Sequence, residues 1–151
     1  MIYEITEPFE ILLIEDEPAD ANLVRLALKE NRFFGNLHHV FDGVEGLAFL
    51  RREGSQNSNA PRPDLILVDI NMPRMNGCEF LSAIKADEKL AAIPVVVLTT
   101  SDTDQDIRTS YQKGAAGYIT KPVDIDQFIE AIRQLDNYWF ALVKLPKRVA
   151  S

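Results

Sequence analysis

The chain of 151 residues carries 23 acidic and 16 basic side chains, a formal net charge of −7, and is 46% apolar and 26% charged. Such a length suits one domain around one core, the composition excludes a mainly disordered chain, and the acidic balance disfavours a nucleic-acid partner. No apolar run approaches the roughly 20 residues that cross a bilayer, and the single cysteine, Cys78, excludes an internal disulfide or a cysteine-rich zinc site.

Residues 1–10 hold Glu4, Glu7 and Glu10 with no base and no long apolar block, which is not leader chemistry, so a cytosolic location is expected. The first strand is predicted at 11–14, an apolar, β-branched run that ends in Glu15, Asp16 and Glu17. A helix follows over about 19–32, with Leu23, Leu26 and Ala27 as its apolar positions, and a weaker strand at 37–41. After an Asp42-Gly43 turn, Val44, Leu47, Ala48 and Arg51 fit a second helix, and the Ser, Gln, Asn and Pro of 54–63 read as a surface loop. The third strand, 65–68, ends at Asp69; a third helix contains Phe80, Leu81, Ile84 and Lys85. The fourth strand, 95–98, ends in Thr99, Thr100 and Ser101. Ile107, Tyr111 and Ala115 suggest a fourth helix, 116–120 a weak fifth strand ending at Lys121, and Ile125, Phe128, Ile129, Ile132 and Leu135 a fifth helix capped by Asp124.

Apolar runs without alternation indicate strands buried on both faces. Three such strands and the two weaker ones, alternating with helices, predict a doubly wound α/β parallel sheet, whose ligands bind beyond the carboxyl ends of the strands. Those ends carry Glu15, Asp16, Glu17, Asp69, Thr99 and Lys121. Several carboxylates at one edge repel each other unless a cation neutralises them, and oxygen donors without histidine or cysteine favour Mg²⁺. A strand-end aspartate is also a competent nucleophile toward phosphorus, with the metal and Lys121 offsetting charge on the phosphoryl oxygens.

These residues resemble the receiver domain of two-component response regulators. The resemblance rests on Glu15-Asp16, on Asp69 in LILVDINMP with Gly77 following, on Thr99, and on Lys121-Pro122 in YITKP; it spans about residues 10–135. It implies a flavodoxin-like sheet of order 2-1-3-4-5, with the receiver at 10–137 between an N-terminal arm, 1–9, and a C-terminal aromatic and apolar extension, 138–151. By resemblance, Asp69 is the phosphoacceptor for a histidine kinase. Asp16, Asp69 and the backbone carbonyl of Asn71 hold Mg²⁺, and Glu15 acts through a water. Thr99 and Lys121 contact phosphoryl oxygens. Thr99 and Tyr118 form a switch that reshapes the face of helix four, strand five and helix five, and the Lys121-Pro122 bond is cis. The protein is then a phosphoacceptor signalling protein rather than an enzyme with a substrate to turn over.

Little chain follows the fifth helix, so output through protein contact is expected. Tyr138, Trp139, Phe140, Leu142, Val143 and Leu145 either extend the core or form a partner-binding patch, and Lys144, Lys147 and Arg148 read as a solvated tail. Tyr111 and Tyr118 share a face in the family topology, which suggests a homodimer through that face and the extension. The loop before strand three, PRPDLILVDINMPRMNG, IPVVVLTTS and the tail ending in VKLP are similar to the small response regulators of cyanobacterial and bacterial phytochromes, implying a phytochrome-type histidine kinase. The alternatives are a phosphorelay or motility receiver with another kinase, a binding module that is never phosphorylated, and a phosphatase of the haloacid dehalogenase type. Asn71 stands against the last, because that chemistry needs an acid two residues after the nucleophile.

Overall fold

A computed structural model describes residues 9–30, 35–72, 74–99, 108–109, 112–121 and 126. Five parallel strands, β1 (Phe9–Ile14), β2 (Gly35–Val40), β3 (Leu65–Asp69), β4 (Val95–Thr99) and β5 (Gly117–Thr120), lie in the order β2-β1-β3-β4-β5. This is the flavodoxin-like sheet expected from the sequence. Between them run α1 (Pro18–Glu30), α2 (Gly43–Leu50) and α3 (Gly77–Ala86), with a 3-10 turn at Ser55–Asn57 inside the expected loop. The predicted fourth and fifth helices, Tyr111, Pro122, Asp124 and the 138–151 extension lie wholly or largely outside the described residues.

The central strands are apolar throughout because both their faces are covered. Leu65, Ile66, Leu67 and Val68 are fully buried, as are Ile11, Leu12, Leu13 and Ile14 beside them. Register pairs Ile14 with Val68 and Asp69 with Leu98, so neighbouring strands end level and deliver their next residues to one edge.

Each helix shows which apolar residues the sheet selects. In α3 the buried face is Gly77, Phe80, Leu81 and Ile84, the spacing read from the sequence. Its start is a capping box: Asn76 Oδ1 accepts from the Glu79 N–H at 2.8 Å, and Glu79 Oε1 accepts from the Asn76 N–H at 3.0 Å. In α2 the expected Leu47 is buried, but Val44 is 42% exposed and Phe49 turns inward instead. In α1 the expected stripe is displaced: Leu23 and Leu26 are 38% and 44% exposed, while Ala21, Val24 and Leu28 face the core. Both apolar sets fit helical spacing, and the set with smaller residues in its first turns faces the sheet.

Gly77 sets the geometry beneath the β3 end. A Cβ there would lie 2.5 Å from the Asp69 carbonyl oxygen and 2.8 Å from the Ile70 Cα, both backbone atoms that cannot swing aside. The Gly77 N–H also donates to the Ile70 carbonyl at 2.9 Å, closing the loop after Asp69. Gly77→Ala is expected to cost on the order of 1–3 kcal/mol by forcing backbone displacement; urea unfolding measures it, and an unchanged midpoint would show that the loop has slack.

Candidate phosphoryl-acceptor and metal site

β1 ends one residue before Glu15, whose main chain stays locked to the sheet. Its N–H donates to the Val40 carbonyl at 3.0 Å, and its carbonyl lies 2.8 Å from His39 Nε2. A carbonyl only accepts, so Nε2 is the protonated nitrogen of that ring. The Glu15 side chain is fully buried. Its Oε2 accepts from the Glu17 N–H at 3.2 Å, while Oε1 lies 2.5 Å from Lys121 Nζ in an ion pair that lacks hydrogen-bond alignment.

Asp69, last in β3 and 5% exposed, faces the same space. Its Oδ1 accepts a long hydrogen bond, 3.4 Å, from the Asn71 N–H, and its Oδ2 is 3.2 Å from Lys121 Nζ. Lys121 follows β5, and its side chain is only 6% exposed. Its third partner is Asp20 in the first turn of α1, at 2.9 Å. One ammonium therefore ties together groups from the ends of β1, β3 and β5 and from α1.

The charge does not balance. Glu15, Asp16 and Asp69 bring carboxylate oxygens within 4.8 Å of one another, and Asp20 adds a fourth acid against one base, Lys121, among the described residues. Burial first, and then the charge of Asp69, raise the Glu15 carboxyl against the pull of Lys121, to about 7 in all. Burial likewise raises Asp69 despite its contact with Lys121. For Lys121, burial opposes the charge, but Glu15, Asp20 and Asp69 outweigh it and hold the ammonium above its ordinary range. A buried carboxylate oxygen without a directed donor, in an all-oxygen cluster short of positive charge, fits a hard divalent cation such as Mg²⁺. Glu15, Asp16 and Asp69 are the side chains placed to hold it.

The sequence-predicted residues Glu15, Asp16, Asp69 and Lys121 are thus brought together. Thr99 ends β4 in register with Thr120, and Tyr118 in β5 pairs in register with Val97 and is 37% exposed; the Thr99 side chain lies outside the described residues. Sequence reasoning missed three contributors. Asp20 looks like an ordinary acid complementing a helix N-terminus, and His39 looks like one more residue of an edge strand. Asp42, read as a turn, caps α2 by accepting from the Glu45 N–H at 2.9 Å. Its other oxygen accepts from Arg74 Nε at 2.6 Å, with Nη2 at 2.5 Å and Glu45 3.8 Å from the same guanidinium. Arg74 sits in the left-handed region, φ 63°, so this pairing holds the loop after Asp69 in a conformation that arginine disfavours.

Comparison with known proteins gives a consistent result. The model of a family described as the response regulator receiver domain matches residues 11–133. The chain is 38% identical to response regulator Rcp1 of Synechocystis over 143 residues, 95% of this chain and 97% of that one. The Mn²⁺-bound crystal structure of Rcp1 superposes with a TM-score of 0.72 at 39% identity, covering 87% of this chain and 94% of that one. The phosphorylated cyanobacterial phytochrome response regulator RcpA superposes with a TM-score of 0.75 at 40% identity, over 90% and 96% of the two chains. A probable methanogenesis regulatory protein, FilR2 of Methanothrix harundinacea, is 36% identical over 96% of this chain and 92% of that one.

The raised carboxyl of Glu15 predicts a pH dependence. A folded value near 7, above the ordinary 4.5, means that the folded state holds this proton more tightly than the unfolded one. Its stabilising contribution is therefore complete below the unfolded value and is lost as pH rises through the folded one. In EDTA the thermal midpoint should fall from mildly acid to mildly alkaline pH, and Mg²⁺ should restore it most on the alkaline side, where the site is deprotonated. Glu15→Gln should flatten the slope; an equal slope in the variant would remove Glu15 as its source.

Proposed function

The chain belongs to the response regulator receiver family, and from that premise we propose that it is a signalling phosphoacceptor whose nucleophile is Asp69. The observation that carries this reading is the position of Asp69, at the strand end, buried, among Glu15 and Asp16 and 3.2 Å from the Lys121 ammonium.

In the proposed reaction a carboxylate oxygen of Asp69 attacks the phosphorus of a phosphohistidine on a histidine kinase. An O–P bond forms, the N–P bond breaks, and the departing imidazole nitrogen takes up a proton. When bound by Glu15, Asp16 and Asp69, with the Asn71 carbonyl as a further donor, Mg²⁺ supplies positive charge beside the phosphoryl oxygens. Lys121 supplies the protein's own positive charge and stays protonated throughout, because three carboxylates surround it. Burial keeps Asp69 from being solvated away from its target, and its Oδ2 is oriented by Lys121. The Thr99 hydroxyl serves a second phosphoryl oxygen.

The output is a population shift. Phosphorylation replaces one carboxylate with a dianionic group held by Lys121 and Thr99, and Tyr118, partly exposed on β5, responds by turning inward. The face formed by β5 and the flanking helices then changes its affinity for a second copy of the chain, so that phosphorylation tunes a homodimer. The kinase in this reading is of the phytochrome type, supported by the similarity to the cyanobacterial phytochrome response regulator RcpA over 90% of the chain. A second reading, a receiver serving another class of kinase, is favoured by the comparable similarity to FilR2.

Two arms test these layers separately. Intact mass after incubation with acetyl phosphate and Mg²⁺ should show one added phosphoryl group, absent from Asp69→Asn and from the magnesium-free control. No adduct, combined with no binding of beryllofluoride, would falsify the phosphoacceptor reading. In the second arm, labelled phytochrome-type kinases and kinases of other sensory classes are offered to the same protein. Faster transfer from the phytochrome type by about tenfold or more is expected; equal or slower transfer gives the client to the second reading while leaving Asp69 in place.

A further inference from the structure

At the amino ends of β3 and β4, opposite the acidic edge, lies a cleft of about 500 Å³. It is enclosed by the end of α2, the approach to β3 and the segment between α3 and β4. Its lining brings Arg51, Arg52, Arg62 and Lys89 together with one carboxylate, Asp87, and Glu88 lies in the adjoining depression that shares Arg51, Asp87 and Lys89. In a chain of net charge −7, four bases to one acid in the lining is a local segregation that composition does not provide.

The cations are also placed. Arg52 Nε donates to the Ala60 carbonyl at 2.8 Å, and Arg62 Nη1 donates to the Lys89 carbonyl at 2.6 Å. Each contact fixes a guanidinium while using one of its five N–H groups, so the remaining donors are held ready for a ligand. Arg52 does this from a left-handed backbone, φ 54°, which arginine rarely adopts. Arg51 is only loosely occupied, 3.6 Å from the half-buried Asp87. Beneath this rim the lining is apolar: Pro63, Leu90 and Ile93 are buried residues that present their edges to the cleft, and Leu50 flanks them.

We propose that this cleft binds a small organic phosphate with a flat apolar body, of the chemical class of a nucleoside monophosphate. Guanidinium forks match phosphate oxygens in bidentate geometry, and the apolar floor within a cationic rim suits a ligand that combines both characters. The volume is that of a small-molecule site rather than a macromolecular interface. The site is separate from the phosphoacceptor: β3, from Leu65 to Asp69, lies between them, about 13 Å at the usual strand rise. It does not depend on the function proposed above.

The test is an amide-shift titration of the full ¹⁵N-labelled chain in EDTA, which keeps divalent cations from drawing phosphates to the acidic edge. The probes are adenosine 5′-monophosphate, adenosine and inorganic phosphate. Saturable shifts at residues 50–53, 61–64 and 87–93 are expected, with the nucleotide at least about tenfold tighter than either half. Arg51→Gln and Lys89→Gln, both exposed, should each weaken it severalfold and together by about tenfold or more, with acetyl phosphate labelling of Asp69 unchanged. No saturable shift at millimolar nucleotide, equal binding of inorganic phosphate, shifts centred on Asp69, or undiminished affinity in the folded double variant would each overturn the proposal.

Discussion

The Lys121 ammonium is the point at which the carboxyl edge of the sheet is held together. It reaches Glu15, Asp69 and Asp20, so the ends of three strands and the start of α1 share one counter-charge. Several buried carboxylates with no cation would drive each other to protonate or drive the loops apart. With one cation they stay together but remain short of positive charge, which is why burial still lifts both Glu15 and Asp69. The edge is therefore short of positive charge and its acidic groups are already assembled, which is the arrangement the proposed phosphoacceptor role requires.

That arrangement relies on the stiffness of what carries it. The β1 and β3 strands are buried along nearly their whole length and paired in level register, so Glu15 and Asp69 emerge side by side. Gly77 lets α3 begin directly under the β3 end, and the Asn76–Glu79 box fixes that beginning. Reactive groups on strand ends inherit the precision of the sheet, while the loops between them supply orientation through individual hydrogen bonds.

How far the sequence disclosed this depends on the range of each interaction. Unbroken apolar runs made β1, β3 and β4 legible, and the polar residue closing each run pointed to the site, because strand period and burial are local properties. Glu15, Asp16 and Asp69 were readable for that reason, whereas Lys121 closes the weaker run of β5 and was marked by the YITKP motif. Asp20 was not, since its pairing with Lys121 joins residues 101 positions apart and nothing near Asp20 marks it. The displaced face of α1 shows a different limit. Leu23 and Leu26 have the larger apolar groups, but Ala21, Val24 and Leu28 are the ones that face the sheet. Hydrophobic spacing proposes faces; packing distance to the sheet chooses between them.

Asp42 has two obligations, one oxygen to the first turn of α2 and the other to Arg74 in the loop after Asp69. The start of that helix and the position of that loop are therefore coupled through one carboxylate. A motion that swings the loop outward frees one oxygen of the carboxylate that caps α2, so each end of this link influences the other. Substitutions at positions 42 and 74 should accordingly be strongly non-additive in a double-mutant cycle, because the second removes a tether that the first has already cut.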